Sequence, residues 1–151
     1  MKDRAYQEAD KPVTRHLLLT GRPGCGKTTV IRRSVEGLKG AAGFYTGEIR
    51  ASGRRIGFAI TTLDGREGLL ASERVDSPVR VGRYRVNLPD VNRLCAGSIT
   101  DAVTSGRARV IVIDEIASME MASEEFRRAV ALALDSGIPV LGAIQARVDP
   151  F

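Results

Sequence analysis

Long apolar runs, cysteines and aromatic residues are all scarce in this sequence, and each scarcity excludes something. Apolar runs extend only a few positions, as at 110–113, whereas a membrane-crossing helix needs about 20. No helical membrane span is therefore expected. Cysteine occurs twice, at Cys25 and Cys95, far apart and without metal-ligand spacing, so reduced thiols are expected. Aromatic residues are 5% of the chain and nowhere interleave with a basic run. Residues 1–10 lack the apolar stretch of a secretory signal and carry too many acids for a transit peptide. A cytoplasmic protein is expected. There is also no internal repeat and no low-complexity segment.

What is present fits an ordinary α/β domain. The 151 residues are 43% hydrophobic and 27% charged, which excludes disorder and collagen-like folds. A domain of this length buries roughly 70% of the surface of its unfolded chain. The net charge is +5 and the pI about 9.7, with only Lys2, Lys11, Lys27 and Lys39 as lysines among the bases. The arginines are scattered and never form a run longer than two. A basic balance admits a nucleic-acid partner; the simpler reading is a solvated surface with local attraction for phosphates. A monomer is expected.

The patterning alternates strand and helix, with one interruption. Residues 1–15 are polar and aperiodic, a flexible leader; 16–151 is expected to be a single domain. Residues 16–20 form a short apolar run ending at a glycine, the signature of a buried parallel strand. A helix is expected over 28–38, with Val30, Ile31, Val35 and Leu38 on one side, and glycines at 37, 40 and 43 to end it. Short strands follow at 43–50, 55–61 and 68–71, joined by the hairpin signals Ser52-Gly53 and Asp64-Gly65. An Arg-, Gly- and Pro-rich loop over 74–88 leads to a helix over 89–105, with Pro89 suited to its first turn. Residues 109–114 are the clearest buried strand, four β-branched residues closed by an acid. A helix over 123–136, capped by Ser123, puts Phe126, Ala129, Val130, Ala133 and Leu134 on one face. Residues 139–144 are the last strand. The fold expected is a mostly parallel α/β sheet with helices on both faces and an antiparallel insertion after the first helix.

Two segments carry chemistry. Gly21-Arg22-Pro23-Gly24-Cys25-Gly26-Lys27-Thr28 matches G-x-x-x-x-G-K-[ST], the Walker A pattern, between an expected strand and an expected helix. Glycines let the backbone wrap phosphate oxygens with N–H groups pointing inward, and the helix N-terminus adds positive potential. Lys27 is expected to reach the β- and γ-phosphates and the Thr28 hydroxyl to bind Mg²⁺, with Thr29 donating near the α-phosphate. The second segment is the acid pair Asp114-Glu115 after the apolar strand. Asp114 is placed as a Walker B acid holding Mg²⁺ through water, and Glu115 as the base that polarises an attacking water. A water-activating base favours hydrolysis over transfer to a second small molecule.

The residues from Asp114 to Met121, Asp-Glu-Ile-Ala-Ser-Met-Glu-Met, resemble the Asp-Glu-Ile-Gly-x-Met-Glu-Leu motif of the thermostable nucleoside-triphosphatase family, which includes the cancer-related nucleoside-triphosphatases. The segments 43–50, 55–58 and 80–87 resemble further family stretches, and the resemblance runs in register over 17–151. It implies Mg²⁺-dependent hydrolysis of nucleoside 5′-triphosphates, tolerant of the base, on a P-loop fold with an extra strand between the Walker A and Walker B strands. Ala117 stands where the family usually has glycine, and family members continue past Phe151 through another strand and helix toward the base-binding region.

Phosphoryl transfer is helped by a cation on the developing charge, worth about 10³ to 10⁵ in rate as an arginine finger. Arg80 and Arg83, which flank Val-Gly in a family-like stretch, rank first for that role, ahead of Arg85. Glu120 reads as a helix-start acid or as one that orients water. Cys25 reads as a small filler inside the phosphate loop whose alkylation blocks nucleotide entry. Tyr45 and Tyr84 are candidates to stack on a base, although packing is the commoner use. His16 and Cys95 have structural readings only. The alternatives to a triphosphatase are a nucleotide or small-molecule kinase and a nucleoside-triphosphate-gated nucleic-acid-binding module.

Overall fold

The computed structural model describes residues 16–146; the leader expected over 1–15 and the chain end at 147–151 lie outside them. The described residues form one sheet in the order β1-β8-β7-β2-β3-β4-β6-β5. Its strands are β1 (His16–Leu19), β2 (Ala41–Ala51), β3 (Arg54–Thr62), β4 (Glu67–Ser72), β5 (Arg80–Val81), β6 (Tyr84–Val86), β7 (Val110–Ile116) and β8 (Val140–Ile144). Parallel pairing joins β1, β8, β7 and β2. Antiparallel pairing continues from β2 through β3, β4 and β6 to β5.

Strand β7 is buried on both faces, as its unbroken apolar run requires. Ile111, Val112 and Ile113 are all fully buried, and the two-residue period sends them to opposite sides. Val112 meets Ile31 and Val35 of helix α1 (Lys27–Val35) together with Ala143. Ile111 and Ile113 join the larger core with Ile99 of α3 (Gly97–Thr104) and Phe126, Ala129 and Ala133 of α5 (Glu124–Asp135). Phe126 crosses Phe44 edge-on at 5.9 Å. Helices thus cover both faces, as expected. Gly43 has φ +115°, and a Cβ there would lie 2.0 Å from the Val112 carbonyl oxygen, so only glycine lets β2 approach β7 this closely.

Several boundaries differ from the sequence expectation for identifiable reasons. Helix α1 ends at Val35, not Leu38: Glu36 leaves helical backbone and Gly37 turns left-handed at φ +74°. Only Ile31 and Val35 of its four apolar residues are buried, being one turn apart, while Val30 and Leu38 remain about half exposed. Leu134 likewise lies at the edge of the buried face of α5, and Ser123 caps that helix by accepting from the Phe126 N–H at 2.9 Å. The loop expected over 74–88 contains the small hairpin β5–β6, turned by Gly82, so the antiparallel insertion is larger than its sequence implies. The helix beginning near Pro89 runs as α2 (Leu88–Asp90), a π-helical stretch (Val91–Ala96) and α3. A short helix not anticipated, α4 (Ser118–Met121), follows β7. No helix among the described residues is long and apolar enough to cross a membrane.

Candidate active site

The glycine-rich loop connects β1 to α1 at the carboxyl ends of the parallel strands, where open α/β sheets bind their ligands. A tight turn, with the Cys25 N–H donating to the Arg22 carbonyl at 3.2 Å, aims the loop. Gly26 enters α1 in left-handed backbone at φ +100°, which a side chain would resist. The first turn of α1 carries no acid to neutralise its free N–H groups.

Beside this loop is a cleft of about 500 Å³. One wall is Pro23, Gly24, Gly26, Lys27, Thr28 and Thr29; the floor is Asp114 and Glu115; the far wall is Thr46, Gly47 and Glu48 of β2 with Arg55 and Phe58 of β3. The antiparallel hairpin therefore shares this cleft with the phosphate loop. Lys27 donates to the carbonyls of Gly21 at 2.8 Å and Arg22 at 3.3 Å. A second cavity, lined by Gly40, Arg66, Asp101 and Arg107 among others, lies where β2 and β7 begin and contains none of these groups.

The acids stand within β7, which runs two residues past Asp114 instead of closing at it. Asp114 is 2% exposed, and its Oδ2 is buried with no hydrogen-bond partner among the described residues. Burial pushes its carboxyl above the usual carboxylate range, while Thr28, Arg32 and Lys27 pull it back. Glu115 is half-buried and raised by that burial and by Asp114, against Lys27. Behind them Glu120 is buried, its carboxyl pushed up to about 8 by desolvation, with Glu115 and Asp114 adding to the rise.

An oxygen set of this kind suits Mg²⁺. Asp114 Oδ2, without a hydrogen-bond partner among the described residues, and the Thr28 hydroxyl are hard oxygen donors of the kind Mg²⁺ takes, one or two from the protein with water and phosphate filling the shell. No cluster of three metal-ligating side chains occurs among the described residues.

The structure brings together Pro23, Gly24, Gly26, Lys27, Thr28, Thr29, Asp114 and Glu115. Gly21 and Arg22 contribute carbonyls that hold Lys27, and Cys25 is exposed on the loop. Arg80 and Arg83 are not brought to the cleft. Arg80 turns back to the Gly82 carbonyl at 3.0 Å. Arg83 is spent on Glu73 at 3.1 Å and on the Tyr84 hydroxyl at 2.8 Å, while Arg85 donates to the Ser77 carbonyl at 2.7 Å. The arginine that does line the cleft, Arg55, is one sequence reasoning missed, along with Glu48 and Phe58. Its stretch had a signal, since 55–58 resembles a family segment, but strand patterning alone does not say which side chain faces the phosphate loop. Tyr84 is 5% exposed, packed edge-on against Phe58 at 5.1 Å. Tyr45 lies under the Arg32 guanidinium at 4.7 Å.

Residues 16–151 match the family model described as NTPase. Nucleoside-triphosphatase THEP1 of Thermotoga petrophila is 47% identical over 135 residues, covering 89% of this chain and 74% of that protein. The human cancer-related nucleoside-triphosphatase is 42% identical over 144 residues, covering 87% of this chain and 76% of that protein. Among solved structures, THEP1 from Aquifex aeolicus superposes with a TM-score of 0.76 at 36% identity, covering 87% of this chain and 77% of that one.

Proposed function

The chain belongs to the NTPase family, and on that premise we propose that it hydrolyses nucleoside 5′-triphosphates to nucleoside diphosphate and phosphate with Mg²⁺ as cofactor. It is a hydrolase of the P-loop class, and a cytoplasmic monomer in our reading. The observation that carries the reaction is the placement of Asp114 and Glu115 across one cleft from the phosphate loop, with Asp114 Oδ2 uncompensated.

Each residue has a part. The N–H groups of the loop and of the first turn of α1 bind phosphate oxygens. Lys27 exchanges its carbonyl partners for the β- and γ-phosphates. Thr28 and Asp114 would hold Mg²⁺, which would supply positive charge against the phosphate oxygens. Glu115 accepts a proton from the attacking water as its oxygen bonds to the γ-phosphorus, and the bond to the bridging oxygen breaks with its electron pair leaving on the diphosphate. Burial raises the Glu115 carboxyl, which makes its carboxylate a better proton acceptor.

The surface supports the simpler reading of the basic charge. Arg50 and Arg55 pair with Glu48, Arg54 and Arg83 with Glu73, and Arg128 with Glu124, so these arginines are engaged with neighbouring acids at the surface.

The test is phosphate release from ATP, GTP, CTP and UTP with and without Mg²⁺, in the native protein and in Lys27→Ala and Glu115→Gln. Release that needs Mg²⁺, occurs with several bases and is lost in both variants is the expected result. Release only when a second small molecule is added as acceptor would replace hydrolysis by a kinase reaction.

A further inference from the structure

We propose that Arg55 is the catalytic cation of this site, presented to the transferring phosphoryl group by the β2–β3 hairpin and held in place by Tyr84 and Glu48. This rests on the triphosphatase reading above and adds to it the group that answers the charge of the transition state.

Arg55 is the arginine that lines the cleft between the phosphate loop and the hairpin. Two of its three nitrogens are fixed by the protein: Nε donates to the Tyr84 hydroxyl at 3.0 Å and Nη1 to Glu48 at 2.9 Å. Nη2 has no hydrogen-bond partner among the described residues. The guanidinium also lies over the Phe58 ring at 5.0 Å and 5.7 Å from the Tyr84 ring centre. A planar fork clamped at two corners and stacked on rings has lost most of its freedom before any ligand arrives. The two N–H donors of Nη2 are thus pre-organised, the condition under which a charge lowers a barrier without reorganising.

The clamp is itself built. Tyr84 is buried, and its hydroxyl also accepts from Arg83 at 2.8 Å. Arg83 therefore braces the clamp at two points, donating to the Tyr84 hydroxyl and to the Arg55 carbonyl at 3.0 Å. As water bonds to the γ-phosphorus and the bridging bond breaks, charge redistributes among the phosphoryl and bridging oxygens. Arg55 Nη2 donates to those oxygens. Supplying the cation from the same chain makes turnover independent of a partner protein.

The experiment is steady-state kinetics of Arg55→Ala, Arg55→Lys, Tyr84→Phe and the control Arg80→Ala with MgATP, alongside titration with ADP alone and with ADP plus aluminium fluoride. Arg55→Ala is expected to lower kcat by about 10³-fold, to change ADP affinity less than threefold, and to lose the tighter binding that aluminium fluoride confers. Arg55→Lys restores part of kcat, because the charge returns without the fork. Tyr84→Phe, which keeps the packing, lowers kcat about tenfold with KM unchanged; a purely structural tyrosine would lower the melting temperature and leave kcat intact. Arg80→Ala behaves as the native protein. A kcat in Arg55→Ala within threefold of native, while Lys27→Ala and Glu115→Gln are inactive, overturns the proposal and leaves the triphosphatase reading standing. Absence of phosphate release in the native protein removes both.

Discussion

The Lys27 ammonium donates to the Gly21 carbonyl at 2.8 Å, so the loop's cation is anchored on the loop's own first glycine. Nucleotide must outcompete that bond, and Lys27→Ala removes both the anchor and the phosphate contact. We expect triphosphate affinity to fall at least about 100-fold, since hydrogen bonds to charged groups are worth about 1.5–3 kcal/mol each. Titration calorimetry with MgATP measures this, and melting of the ligand-free variant within a few degrees of native shows that the fold is intact.

Cys25 and Cys95 are chemically distinct. Cys25 is exposed on the phosphate loop, while Cys95 is buried and its burial pushes the thiol far up. Iodoacetamide should modify one thiol per native chain, at Cys25, and abolish phosphate release. Saturating MgATP should slow that modification. Modification of Cys95 at a similar rate, read by peptide mass, would contradict the placement.

Glu120 couples stability to pH. Its carboxyl is raised from an ordinary 4.5 to about 8 by burial, so the folded state binds that proton more tightly than the unfolded chain. The stabilisation is fully present below about pH 4.5 and is lost as pH rises toward 8. Asp114 and Glu115, raised in the same direction, add to the decline. Glu120→Gln keeps the shape and cannot ionise. In metal-free buffer its urea midpoint should fall less between pH 5 and pH 8.5 than the native midpoint, and should exceed it at the upper end.

Gly43→Ala tests the strand packing that carries the cleft's far wall. The added Cβ meets the Val112 carbonyl oxygen at 2.0 Å in left-handed backbone, and neither strand can yield without breaking the β2–β7 ladder. Urea unfolding should show a loss of about 3 kcal/mol or more. Because β2 also carries Thr46, Gly47 and Glu48 to the cleft, activity should fall with stability.

Local signals made most of this fold legible. The β-branched run at 110–113 and the glycine-rich loop each dictate one structure, and both were readable because their geometry is written in consecutive residues. The hairpin at Ser52-Gly53 was equally legible, both residues taking positive φ as a tight turn demands. Arg55 was not, because what distinguishes it from Arg54 is facing. Arg54 pairs with Glu73, whereas Arg55 meets Glu48, Phe58 and Tyr84. That distinction depends on strand pairing from β2 through β3 and β4 to β6, with 36 positions between Glu48 and Tyr84. The π-helical stretch and α4 were also unsignalled, since neither has a periodicity long enough to read.

The role of Glu115 is the centre of the account, and one comparison tests it most directly. Glu115→Gln keeps the side chain's size and hydrogen-bonding reach but cannot accept a proton. Mixed with MgATP in slight excess, it should bind with an affinity within about threefold of native. Its single-turnover phosphate release should fall by about 10²- to 10⁴-fold, the worth of a general base. Native-like phosphate release from the bound complex would contradict the assignment.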